Sequence, residues 1–100
     1  MRERDVERYL VKQIEALGGL CWKWTGRVGV PDRIVVVGGE IIFVEVKQPK
    51  GRLSPKQKLS HKQLRERGAS VMVVWNHDDV DSLTDDLAGK IFVESWRNKK

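Results

Sequence analysis

One hundred residues, 40% of them hydrophobic and 33% charged, fit one domain with a single modest core. No apolar run approaches the ~18 residues of a membrane span, and a lone cysteine, Cys21, excludes an intramolecular disulfide and fits a reducing, cytoplasmic compartment. The net charge of +5, from 19 basic and 14 acidic residues, is compatible with a polyanionic partner.

Met1 to Asp5 leads straight into an amphipathic pattern, which predicts no signal peptide. Val6, Leu10, Ile14 and Leu17 recur at helical spacing and predict a helix over residues 3–17, stopped by Gly18-Gly19. Glu3 and Glu7 border this stripe one turn apart. Either can point along the inner face toward the following strands; an acidic first turn complementing the helix dipole is the plainer reading of each. Residues 20–25 read as a strand with Leu20, Trp22 and Trp24 on one face. The two tryptophans are expected to cover the core, with base stacking as the alternative. Cys21 reads as a small buried hydrophobe. Lys23, on the other face, either reaches a phosphate or is simply solvated. In the loop 26–31, Pro31 fixes the chain just before Asp32. Arg27 is a candidate contact for a nucleic-acid strand or an ordinary surface arginine.

The segment 30–47 organises the rest. Two β-branched runs flank Gly38-Gly39, a hairpin signal because a type I′ turn needs positive φ at both central residues. In that hairpin Val37 faces Glu40. Counting outward, Asp32 faces Glu45, with Cβ atoms about 5 Å apart. Lys47, two residues past Glu45, shares its face. Like charges directly opposite destabilise a sheet, and a divalent cation taking carboxylate oxygens would reverse that cost. The plainer alternative is a solvated hairpin end neutralised by Lys47.

After a turn at 48–52, Ser54-Pro55 opens a helix as N-cap and first helical residue. It is expected to run to Arg67, with Gly68 beyond. Gln57 lies in its first turn, near the end of the strand carrying Lys47. Leu64 points inward, with Leu59 or Ser60 and Arg67 alongside. Lys50, Arg52, Lys56, Lys58, His61, Lys62, Arg65 and Arg67 make this segment strongly basic. A basic segment beside a carboxylate pair suits phosphodiester chemistry; a lysine-rich solvated helix is the plainer reading. Residues 69–75 read as a buried strand. Because it follows a helix, it is expected to pair in parallel with the Glu45 strand. Residues 78–87 read as a short acidic helix, and Ile91-Phe92-Val93 as a last edge strand or an outside packing segment. Residues 1–95 form one domain, and 96–100 a polar tail. The predicted order α-β-β-β-α-β-α describes an α/β fold, a small mixed sheet flanked by helices.

These residues resemble the PD-(D/E)XK nuclease superfamily, with its restriction-endonuclease-like core. Pro31-Asp32 matches the PD, and Glu45-Val46-Lys47 the E-x-K. The closer similarity is to its virus-type replication-repair nuclease (VRR-NUC) domain: Gly29-Val30-Pro31-Asp32, the Glu-Val-Lys strand, Leu53-Ser54-Pro55-Lys56-Gln57, and Gly68 before the Val71–Trp75 strand. The resemblance implies that Asp32 and Glu45 hold Mg²⁺ or Mn²⁺, with the Val46 carbonyl completing the site. It implies that Lys47 positions or activates the attacking water, and that Gln57 supports the water or a phosphate. It also implies a helix glutamate, Glu3 or Glu7, acting through water. Arg27, Lys23, Lys50, Arg52, Lys56, Lys58 and Lys62 are the candidate DNA contacts. Freestanding members of this kind resemble phage-encoded homodimeric resolvases of four-way (Holliday) junctions acting in host cytoplasm. The implied function is therefore a metal-dependent endonuclease for branched DNA. The alternatives are a flap or single-strand-end repair nuclease, a non-catalytic DNA-binding module, and a protein-interaction subunit using the acidic 78–86 segment. No membrane or small-molecule cofactor is expected. Ile91, Phe92, Trp96 and Trp75 are candidates for a dimer surface.

Overall fold

Helix α1 (Glu3–Ala16) turns its stripe of Val6, Leu10 and Ile14 fully inward. The computed structural model describes residues 2–98. The helix stops at Gly18, whose N–H reaches the Glu15 carbonyl at 2.9 Å. Gly19 then brings the backbone against the sheet, where a Cβ would sit 2.7 Å from that of Val37.

Three strands follow: β1 (Leu20–Lys23), β2 (Arg33–Val37) and β3 (Glu40–Val46). Gly38 and Gly39 turn the β2–β3 hairpin at φ of +58° and +82°, and Val37 pairs with Glu40 as counted from the sequence. Helix α2 (Pro55–Glu66) crosses over to β4 (Ser70–Val74), which pairs in parallel with β3. The sheet order is β1-β2-β3-β4. Residues paired across strands share a face. One such face, carrying Cys21, Val35, Val37, Ile42, Val44, Val46 and Val74, packs on α1 and on Val80, Leu83 and Leu87 of the last helix. Helix α2 lies on the opposite face. Among the described residues, no helix is long and apolar enough to cross a membrane.

Two expectations are corrected. Leu20 and Trp22 do not cover the core: they are 45% and 65% exposed, and it is Cys21 that faces the helices. Alternation along β1 permits only one face inward, and the helix pair lies on the cysteine side. Nor is there an edge strand at 91–93. A single helix, α3, runs His77–Asn98, taking in the first residues of the expected tail; Lys99 and Lys100 lie outside the described residues. Val80, Leu83, Leu87 and Ile91 sustain its helical spacing across Gly89. Ile91 packs on the core, where a Cβ at Gly38 would collide with its side chain. Of the other dimer candidates, Trp75 is half-buried, and the side chains of Phe92 and Trp96 lie outside the described ones.

Gly38→Ala combines a left-handed φ with displacement of Ile91, and is expected to destabilise the protein by about 1–3 kcal/mol in urea denaturation. A change below about 0.5 kcal/mol, the scale of an ordinary surface substitution, would mean that Ile91 is not seated against the turn.

Candidate active site

The hairpin ladder runs out to Arg33 opposite Val44, so the next step sets Asp32 opposite Glu45. One Asp32 oxygen, Oδ2, accepts the Val46 N–H at 2.8 Å, which anchors that carboxylate to the end of β3. Glu45 is 1% exposed, although the strand ends one residue later, because α2 lies over it. Both its oxygens are occupied from that helix: Gln57 Nε2 donates to Oε2 at 3.2 Å, and His61 Nε2 lies 3.2 Å from Oε1.

The local sequence explains how α2 reaches them. Ser54 Oγ accepts the Gln57 N–H at 3.1 Å, and Gln57 Oε1 accepts the Ser54 N–H at 2.9 Å. This is a reciprocal capping box, and Pro55 occupies the first helical position. With its oxygen held by the cap, the Gln57 amide nitrogen points at Glu45. Gln57 therefore steadies the carboxylate rather than standing free for water or phosphate. His61, four residues on, lies on the same helix face. Composition groups it with the surface cations, whereas it is 1% exposed and its Nδ1 has no hydrogen-bond partner. Burial, assisted by the charge of Arg65, pushes its pKa down from 6.5 and favours the neutral ring. A neutral ring protonated on Nε2 donates to Glu45. The Gln57–His61 spacing is the signal that marks this histidine in the sequence.

Burial pushes the Glu45 carboxyl up to about 8. The hydrogen bond and charge of Asp32 push the same way, as does Glu3, while Lys47 opposes them. Burial also raises the Glu3 pKa, followed by the charge of Asp32, with Lys47 again opposing. Glu3 thus shares the electrostatic field of Asp32, Glu45 and Lys47. Glu7 is committed elsewhere: Arg33 Nε donates to its Oε2 at 2.8 Å, while Arg33 Nη1 donates to the Cys21 carbonyl at 3.1 Å. Of the two first-helix glutamates, Glu7 is thus bound to Arg33, whereas Glu3 lies within electrostatic reach of the carboxylate pair.

No closed group of three or more His, Cys, Asp or Glu side chains stands ready for a metal among the described residues. The donors available are hard carboxylate oxygens, with the Val46 carbonyl next in the chain. That set suits Mg²⁺ or Mn²⁺ completed by water and phosphate. The raised Glu45 carboxyl fits the same reading, because a divalent cation would offset the burial and the like charge that hold it protonated.

All seven candidate DNA contacts, Lys23, Arg27, Lys50, Arg52, Lys56, Lys58 and Lys62, are exposed, and none is ion-paired among the described residues. Arg27 and Lys56 line a groove of about 770 Å³ between Trp24, the 27–30 loop and α2. Lys23 lines another, of about 560 Å³, against α1 with Arg4, Arg8, Lys12 and the Arg33–Glu7 pair.

The raised carboxyl sets a pH dependence. Glu45 holds its proton more tightly folded than unfolded, so its contribution to stability is fully present at low pH and is lost as the pH rises toward about 8. The lowered His61 has the opposite sign, but only below its ordinary 6.5. The melting temperature in EDTA is therefore expected to fall between pH 6.5 and 8, and Glu45→Gln is expected to flatten that slope. A wild-type profile level or rising in this window would rule out a buried, protonated Glu45.

The family model of the VRR-NUC domain matches residues 3–77. The chain is 40% identical over 81 residues to p44 of Acyrthosiphon pisum secondary endosymbiont phage 1, named as a candidate nuclease; the match covers 78% of this chain and 87% of that protein. A solved VRR_NUC domain superposes with a TM-score of 0.75 at 40% identity, covering 83% of this chain and 94% of that one.

Proposed function

The chain belongs to the VRR-NUC family of nucleases, and from that premise we propose that it is a metal-dependent, structure-selective DNA endonuclease acting on branched DNA, with the four-way junction as its leading substrate. The observation that carries the proposal is the Asp32–Glu45 pair, set opposite by the hairpin, with Lys47 beside it and Glu45 buried under α2.

Asp32, Glu45 and the Val46 carbonyl would hold the cation, and Glu3 would add a carboxylate acting through water. Bound there, Mg²⁺ or Mn²⁺ supplies Lewis acidity to a phosphoryl oxygen and acidifies water. Gln57 and His61 keep the Glu45 carboxylate in one orientation. Lys47 orients the attacking water and adds positive charge where the phosphate gains negative charge on the way to the transition state. The seven exposed cations hold the DNA backbone on either side. The single free cysteine suits work in a reducing cytoplasm, the host's for a phage-encoded enzyme.

Paired strands of a junction call for paired sites, and a C₂ dimer supplies them. The face of the sheet that α2 leaves open supports one. Leu20, Trp22, Val36 and Ile41 are all exposed there, and register places Leu20, Val36 and Ile41 in one row. A contiguous apolar patch of this kind marks an interaction surface. A flap or single-strand-end substrate is the second reading, favoured by the tryptophan in the α2 groove.

Cleavage of a labelled four-way junction, beside flap and linear duplex, tests the assignment with Mg²⁺ or Mn²⁺. Paired symmetric nicks are expected from the wild type. Glu45→Gln is expected to abolish them while the fold persists, and Lys47→Met to slow them by roughly 10²–10³-fold. Full activity of Glu45→Gln would remove the site assignment, and cutting of flaps alone would move the substrate to the second reading.

The dimer is tested separately by light scattering on a sizing column. The wild type is expected at twice the 11.5 kDa chain mass, and Trp22→Glu at the single-chain mass. A monomeric wild type at micromolar concentration would remove the symmetric-nicking scheme.

A further inference from the structure

The groove of about 770 Å³ on the α2 face has a chemistry of its own. Three cations, Arg27, Lys56 and Arg67, line it, and no acidic side chain does. Trp24, Val28 and Leu59 give it an apolar wall, and Leu59 is 56% exposed. The Trp24 indole is braced by Phe43, with ring centroids 4.9 Å apart and planes tilted by 39°.

The groove is locked to the carboxylates by the backbone. The Trp24 N–H donates to the Asp32 carbonyl at 2.9 Å, extending the β1–β2 ladder by one pair. Trp24, Asp32 and Glu45 therefore occupy one row across the sheet. Two strand spacings, about 10 Å, separate the ends of that row. On the other wall, Lys56 precedes Gln57, whose amide holds Glu45. The 27–30 loop lies directly on the first turn of α2: a Cβ at Gly29 would come within 3.0 Å of the Lys56 carbonyl oxygen.

We propose that this groove binds an unpaired DNA strand leaving the catalytic centre, with a base stacked on Trp24 and the flanking phosphates held by Arg27, Lys56 and Arg67. The inference rests on the nuclease reading of the adjacent site. A cationic channel with an aromatic surface is the combination that holds single-stranded nucleic acid without regard to sequence. Within a duplex, both faces of each base are already stacked, so an indole in the groove has nothing to receive. Trp24 thereby separates unpaired from paired DNA, whereas the cations alone would accept both. The shared row places the stacked nucleotide close to the phosphate that is cut, so an unpaired strand there, as in a flap or an opened junction centre, adds to the hold that the cations give paired arms.

Fluorescence anisotropy in EDTA, with no cleavage, tests this on the full chain. The probes are a blunt duplex and the same duplex carrying a short single-stranded arm. The wild type is expected to bind the armed duplex about tenfold tighter than the blunt one. Trp24→Leu is expected to bring that ratio close to one, and Trp24→Phe to restore part of it. Leu59→Ser, at an exposed position that leaves the fold intact, is expected to lower the ratio independently of any effect of Trp24 on folding. A wild-type ratio of one, or a ratio unchanged in both Trp24→Leu and Leu59→Ser, would overturn the groove assignment and leave the nuclease reading standing. Failure of the wild type to bind either probe at low salt would overturn the nuclease reading, and this inference with it.

Discussion

A carboxylate buried opposite another carboxylate is the constraint on which this structure turns. The Gly38-Gly39 turn fixes the register, and the register leaves Glu45 no choice but to face Asp32. Helix α2 then closes over Glu45, removing the water that would otherwise solvate it. Desolvation and a like charge both disfavour ionisation, so the group is held as an acid well above the usual carboxylate range. The cost of this arrangement to the isolated chain is the reason for proposing a divalent cation there.

Around that pair the fold divides its labour by face. The helices α1 and α3 and one side of the sheet make the core, mostly from aliphatic side chains. The other side carries α2, which buries little apolar surface of its own and is fixed instead by polar contacts: the Ser54–Gln57 box, the two hydrogen bonds to Glu45, and Arg65 Nη2 donating to the Val71 carbonyl at 2.8 Å. Stability and chemistry are thus drawn from opposite faces of one four-stranded sheet. The apolar residues that neither face covers run along the sheet from Trp22, one row from the carboxylates, to Leu20, Val36 and Ile41 toward the hairpin end.

Where sequence and structure agree, the governing interaction is local. A Gly-Gly turn sets its own register, a Ser-Pro-x-Gln stretch caps its own helix, and the Val6–Ile14 stripe declares its buried side without reference to anything distant. The order α-β-β-β-α-β-α and the pairing of Asp32 with Glu45 follow from such signals. Where they part, a distant partner decides. In β1, Trp22 and Cys21 both qualify for the core by type, and only the position of α1 and α3 selects the smaller one. Ile91 reads as β-branched and strand-like in isolation, yet the seat beside Gly38 makes it helical. Glu7, too, answers to a distant partner: Arg33, 26 residues on, holds it. His61 belongs between these cases. Its spacing from Gln57 was visible, but the carboxylate that draws it inward lies 16 residues away on another element.

The capping box has a consequence for dynamics. Gln57 both begins α2 and grips Glu45, so the first turn of that helix and the carboxylate's surroundings form one unit of local opening. End turns of helices open far more often than whole domains unfold. Each time this one frays, water reaches Glu45, the proton it holds can leave, and the wall carrying Lys56 loosens in the same event. Amide exchange at the start of α2 would therefore act as a clock for proton exchange at the carboxylate pair, and a cation bound there would slow both together.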